Sequence, residues 1–146
     1  MRCRDRAELE AWGEHLRRRL WFRQTGALAQ ELLPPVGHDL RLVVVACGRV
    51  IGAVERVARP GEWRTNVSLG GSRRAVDPSD DARELALAAA AAVGIDVAGV
   101  DLFPVDGEHV ILELNGAADF DETYSLAGRD VYTDLREAVG LVPAAA

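Results

Sequence analysis

Four β-prone runs occur in two close pairs, and no other feature of the sequence constrains the fold so tightly. Leu40 to Ala46 and Arg49 to Val57 flank Cys47-Gly48, while Val97 to Val105 and His109 to Asn115 flank a turn around Asp106-Gly107. Runs joined by so little chain can pair only antiparallel, because a parallel crossover needs a dozen or more residues. Between the pairs, Asp77-Pro78-Ser79-Asp80 reads as a helix start: an Asp cap, proline at the first helical position, and acids where the helix dipole favours them. That helix is expected to end near Gly94, with alanines that allow close packing on a sheet. Upstream, Asp5 and Glu8 resemble a capping box, and Leu9, Trp12, Leu16 and Leu20 recur at helical spacing, which predicts a helix from Arg6 to Leu20. Leu28 to Leu33 reads as a short apolar strand stopped by Pro34 and Pro35. Arg129 to Val139 reads as a last helix ended by Gly140, and Val142 to Ala146 as a frayed tail. The expected class is α+β, a mainly antiparallel sheet covered by helices.

The chain has 146 residues, enough for one ordinary domain that buries roughly two-thirds of the surface its unfolded form exposes. All 17 basic side chains are arginine, so this chain itself can supply no lysine Schiff base, lysine general base or phosphate-binding lysine of the Walker type. The 23 acidic groups leave a formal charge of -6, which gives no basic footprint for nucleic acid. Arg17 to Arg19 form the one basic run and read as a solvated helix face. Cys3 and Cys47 form no spaced framework and read as free thiols in a reducing compartment. The Ala-rich run Leu85 to Val93 is too short to cross a bilayer, and Met-Arg-Cys-Arg-Asp-Arg lacks the apolar core of a signal peptide, so no membrane partner is expected and the cytoplasm is the expected location.

The second hairpin carries the most informative polar residues. Strand side chains alternate, so Glu113 and Asn115 share one face while Val110, Leu112 and Leu114 share the other. A three-residue loop of Asp106, Gly107 and Glu108 would place Asp101 opposite Glu113 and leave Val100, Leu102, Val110, Leu112 and Leu114 as one apolar face. A two-residue loop would instead set Asp101 among the leucines, an unpaired carboxylate on the core side at a cost of roughly several kcal/mol. Two carboxylates and an amide oxygen on one face are hard ligands suited to Mg²⁺ or Mn²⁺, completed by water and phosphate. The same spacing equally fits Asp101 paired with an arginine while Glu113 and Asn115 simply end a strand. His15, His38 and His109 share no ligand spacing and read as surface or structural residues.

A second polar group is Arg64-Thr65-Asn66, followed by Gly70-Gly71. Arginine and an amide donor beside flexible backbone suit phosphate oxygens. With a metal face nearby, the pattern points to binding of a metal–nucleotide complex.

Five segments together resemble the ATP-grasp ligases, specifically the RimK-like α-L-glutamate ligase branch: Gln30-Glu-Leu-Leu-Pro-Pro, Gly37-His-Asp-Leu-Arg41, Trp63-Arg-Thr-Asn66, Ala98-Gly-Val-Asp-Leu102 and Leu112-Glu-Leu-Asn-Gly116. They occur in family order with near-family spacing. The resemblance implies ATP-dependent joining of a carboxylate to an amine, glutamate among the candidate substrates, through an acyl phosphate. It further implies Glu31 and Leu32 at the adenine, Asp39 facing the nucleotide, and Arg64, Thr65 and Asn66 at the phosphates. Arg64 would stabilise the transferred phosphoryl group, and Asp101, Glu113 and Asn115 would hold two Mg²⁺ or Mn²⁺ ions.

Family members carry a preceding domain and a small subdomain with a Gly-rich lid and a phosphate lysine before the position of Glu31. This chain is therefore expected to be a single partial ATP-grasp domain, with residues 6–29 a remnant of the preceding subdomain and 30–140 the C-terminal subdomain. A second chain, or chain outside the given sequence, would supply the missing lid. The alternative expectation is a non-catalytic metal–nucleotide-binding module, or a folded remnant acting as an interaction domain.

Overall fold

In the central hairpin, the four residues Leu42 to Val45 are all buried, because apolar layers cover both faces of the strand that carries them. A computed structural model describes residues 2–45 and 48–140; Ala46, Cys47 and the expected frayed tail lie outside the described residues. The chain divides into two units, Met1–Pro34 and Pro35–Ala146.

The first unit contains α1 (Arg6–Leu16) and α2 (Leu20–Thr25). Asp5 caps α1 by accepting from the Glu8 N–H at 2.9 Å, and Glu8 accepts from the Arg4 N–H at 2.8 Å, so the reciprocal bond falls one residue before the cap. The single helix expected from Arg6 to Leu20 is instead broken at Arg17–Arg19, where three adjacent cations follow the α1 C-terminus and Arg19 takes up an extended conformation. The strand expected over Leu28 to Leu33 does not form. Its side chains are exposed apart from Leu33, and no ladder partner holds the backbone extended.

The second unit holds β1 (His38–Val45), β2 (Arg49–Val57), β3 (Ser72–Ala75), α3 (Asp80–Val93), β4 (Val97–Val105), β5 (Glu108–Asn115) and α4 (Val131–Ala138). Both expected hairpins are present, and the five strands form one antiparallel sheet in the order β3-β2-β1-β4-β5. β3 was not legible, since Ser-Arg-Arg-Ala has no strand pattern and extends only because it pairs with the edge of β2. The α3 cap is Ser79 rather than Asp77: the Ser79 hydroxyl accepts from the Ala82 N–H at 3.3 Å, and Asp77 pairs with Arg83. Gly94 ends α3 with φ of 68°, the left-handed conformation in which glycine is favoured. Asp130 caps α4, so that helix starts two residues later than expected.

Each face of the sheet packs against a different layer. On one side Leu42, Val44, Val100 and Leu102 meet Ala82, Ala86, Ala89 and Ala90 of α3. On the other, Val43, Val45 and Val54 meet Tyr124 and Val131. Fully burying a Leu or Val contributes roughly 1.5–3 kcal/mol, so these two layers hold the sheet in place. The second layer covers only one end of its face. Beyond it, the strands carry charged side chains at the same alternating positions. None of the described helices is long and apolar enough to cross a membrane.

Candidate functional site

The other end of that face carries Asp39 and Arg41 from β1, Arg56 from β2, Asp101 from β4 and Glu113 from β5. Register brings them together: Asp39 lies opposite Arg56, Arg41 opposite Asp101, and Asp101 opposite Glu113. The Asp101–Glu113 pairing was expected, but the loop that produces it was not. A two-residue turn of Asp106 and Gly107 pairs Val105 with Glu108, and a β-bulge then shifts the register between Asp101 and Leu102. Asp106 and Gly107 both have positive φ, 51° and 89°, as a tight hairpin turn requires. The extra residue is Leu112. Ile111 instead of Leu112 stands opposite Leu102, and on this edge strand Val110, Ile111 and Leu112 are 37%, 39% and 40% exposed, so the expected apolar face is not completed.

Arg56, 6% exposed, is the centre of the charge network. Its Nε and Nη2 donate to the two oxygens of Asp39, both at 2.7 Å, and Nη2 also donates to Asp101 Oδ2 at 2.9 Å. Arg41 grips Asp101 with a second fork, Nε to Oδ1 at 2.6 Å and Nη2 to Oδ2 at 2.8 Å. Burial opposes the charge on Arg56, but the bond to Asp39 and the negative field of Asp101 outweigh it and hold the group above its ordinary range. Hydrogen bonding to Asp101 likewise raises Arg41. Thr65, 8% exposed, donates from Oγ1 to Asp39 Oδ2 at 2.6 Å.

Arg41, Arg56 and Asn66 border a cleft of about 300 Å³, together with Arg73, Asp119 and Tyr124. Arg73 donates to Asp121 at 2.8 Å and lies over the Tyr124 ring. Gly71 makes this corner possible: a Cβ there would come within 2.5 Å of the Thr65 carbonyl and 3.1 Å of that of Asn66. A larger open depression of about 800 Å³ in the first unit, lined by residues such as Arg4, Trp12 and His15, holds none of the expected site residues.

The structure thus gathers Asp39, Thr65, Asn66, Asp101 and Glu113, with Asn115 donating to Glu113 Oε1 at 3.0 Å. Arg64 does not line the cleft. Its guanidinium is bonded to Glu62 at 3.0 and 2.9 Å and lies beside the Trp63 ring, and that hydrogen bonding holds the Glu62 carboxyl down to about 2. Glu31 and Leu32 belong to the first unit and are exposed. The alternative expectation that Asp101 pairs with an arginine holds, but the two arginines concerned, Arg41 and Arg56, were not singled out from the sequence. The signal was available: Arg41 is two residues from Asp39 on the same strand face, and the hairpin register sets Arg56 across from Asp39.

The donor set fits a divalent ion only in part from protein atoms. Among the described residues no three His, Cys, Asp or Glu side chains gather as a cage. Asp101 uses three of about four acceptor positions on the two arginines, while Glu113, with its side chain 61% exposed, and Asn115 add further hard oxygens. Such a set suits Mg²⁺, which keeps water or phosphate in much of its coordination shell.

This sheet with its helices has the form of the ATP-grasp fold. The D-alanine–D-alanine ligase of Bacillus anthracis in complex with ATP superposes with a TM-score of 0.54 over 94% of this chain and 41% of that one, at 14% identity, a likeness of fold alone. The ATP-grasp ligase PsnB, complexed with a phosphomimetic variant of its minimal precursor, Mg and ADP, gives a TM-score of 0.56 at 30% identity over 77% of this chain and 34% of that one. The RimK-like ATP-grasp domain matches residues 3–139, and the chain belongs to that family. Similar proteins include the probable alpha-L-glutamate ligase of Parasynechococcus marenigrum (strain WH8102), 37% identical over 105 residues, which are 71% of this chain and 22% of that protein. That of Haemophilus influenzae (strain PittEE) is 31% identical over 117 residues, 78% and 39% of the two chains. The chain therefore spans well under half the length of these curated relatives.

Proposed function

We propose that this chain is the phosphate- and metal-handling part of an ATP-dependent ligase that joins a carboxylic acid to an amine through an acyl phosphate. The observation that carries this reading is the paired arrangement of Asp39, Arg41, Arg56 and Asp101 at the charged end of one sheet face, with Thr65 bonded into it and Glu113 and Asn115 at its rim. Bringing a phosphorylated nucleotide to a carboxylate crowds negative charge, and fixed cations that need no reorganisation stabilise that charge in the transition state.

In this reading Asp39 acts on the nucleotide through Arg56 and Thr65, both of which it fixes. Asn66 donates from the cleft wall to a phosphate oxygen. Arg64 serves the transferred phosphoryl group after leaving Glu62. Glu31 and Leu32 line the adenine. Asp101, Glu113 and Asn115 hold two Mg²⁺ or Mn²⁺ ions, which supply charge neutralisation when bound. Glutamate is a substrate, as the names of the relatives suggest.

The experiment is calorimetry of the 146-residue chain with Mg-ATP, beside Asp101→Asn and Glu113→Gln. The reading expects heat from the parent and at least about tenfold weaker binding in both variants, equivalent to about 1.4 kcal/mol. A parent that takes up no Mg-ATP, or variants that bind as the parent does, overturns it.

A further inference from the structure

One guanidinium nitrogen stands between the two carboxylates of the proposed metal face. Arg41 Nη2 lies 2.8 Å from Asp101 Oδ2 and 4.0 Å from Glu113 Oε1. Glu113 and Asp101 face each other in register across β4 and β5, and like charges so placed repel unless a cation lies between them. Arg41 supplies that cation. We infer that Arg41 is a built-in placeholder for the divalent ion: its fork occupies the Asp101–Glu113 seat, and an arriving ion displaces it toward the adjoining cleft, where it meets the anion. This inference rests on the metal role proposed above for Asp101 and Glu113.

Three features support it. Asp101 remains held by Arg56 at 2.9 Å when the Arg41 fork leaves, so the carboxylate keeps its position and needs no new partner on the protein side. Arg41 already borders the cleft beside Asn66, so its displacement requires rotation of a side chain and no movement of β1. Charge arithmetic gives the coupling: Asp39, Asp101 and Glu113 stand against Arg41 and Arg56, a net charge of only -1, so a bare dication entering the seat meets weak attraction and the repulsion of Arg41, while one that arrives with phosphate brings an anion for the displaced guanidinium. Arg41 is thus a positioning residue that couples ion binding to anion binding.

The test uses the 146-residue chain and Mn²⁺ alone, followed by electron paramagnetic resonance, with folding checked by circular dichroism. Arg41→Gln should bind Mn²⁺ on the order of tenfold more tightly than the parent in the absence of nucleotide, because a competing charge is gone, and Arg41→Lys should fall between. Unchanged or weaker Mn²⁺ binding by folded Arg41→Gln overturns the proposal. A second measurement needs no variant: on titration of the parent with Mg²⁺, the Arg41 Nε–H resonance should shift and lose protection from exchange while that of Arg56 stays in place. Mg²⁺ binding with an unmoved Arg41 signal also overturns it, leaving the metal role of Asp101 intact. If neither parent nor variant takes up ions even with ATP, the metal reading itself falls and this inference with it.

Discussion

Asp101 lies directly across the last hairpin from Glu113 although the turn joining their strands is one residue shorter than regular pairing of those two residues requires. Leu112 makes up the difference as an unpaired bulge residue. The turn and the bulge are therefore coupled features, and the geometry of the acidic face depends on both.

The turn has a testable cost. Gly107 has φ of 89° and a Cβ there would meet nothing within 4 Å, so a side chain is disfavoured by torsion alone. Gly107→Ala should lower stability by about 1–2 kcal/mol, read as a lower urea midpoint with an unchanged slope. A neutral result would mean that the hairpin tolerates a different turn.

Arg56 separates two buried carboxylates, and the side chains of all three residues are at most 7% exposed. Arg56→Met should cost about 3–5 kcal/mol, because it leaves Asp39 without its fork and removes the shared cation. Denaturant unfolding measures this. A loss below about 1 kcal/mol would show that Arg41 and water replace Arg56 readily.

Gly71 is required for space, with three backbone oxygens within 3.1 Å of where its Cβ would be. Gly71→Ala should destabilise the chain by about 1–3 kcal/mol and disturb the amide resonances of Thr65 and Asn66. Gly116→Ala, where a Cβ meets nothing within 4 Å, is the matched control and should leave both unchanged.

Hydrogen bonding to Arg64 lowers the Glu62 carboxyl to about 2, below its usual value near 4.3 in an unfolded chain. The folded form therefore binds its proton less readily, and the resulting stabilisation is fully present above about pH 4.5 and disappears as pH falls toward 2. A plot of stability against pH should be flatter for Glu62→Gln across that interval. Parallel curves for parent and variant would show that the pair contributes nothing.

What could be read from sequence follows from what sequence encodes locally. The hairpins announced themselves through short connections, and the pairing of Asp101 with Glu113 followed from keeping a charge off the apolar face. The bulge that achieves it was not readable, because a consecutive Val-Ile-Leu run supports either phase of alternation. β3 owes its existence to the β2 edge, and Leu28 to Leu33 failed as a strand for want of such an edge; both outcomes depend on tertiary partners. Ser79, next to the first helical residue, caps α3, while Asp77 pairs with Arg83. At the site, an arginine partner for Asp101 was one of two open readings, but nothing local identified which arginine. That appears only when three strands are set in register and Arg41 and Arg56 are found on the same carboxylate.

Behind the charged face, the helical support of the sheet is made of Ala82, Ala86, Ala89 and Ala90. An alanine has no rotamers, so this half of the contact gives up no side-chain freedom on folding and retains none afterwards. Strands that display Arg41 and Asp101 on one side rest on a backing whose fully buried helical contacts have little rotameric slack, with Leu85 and Leu87 packed at its margin. Positional precision at the charged end is thus a mechanical property of the helix behind it, and a bulkier residue at Ala86 would be felt at the carboxylates through the thickness of a single strand layer.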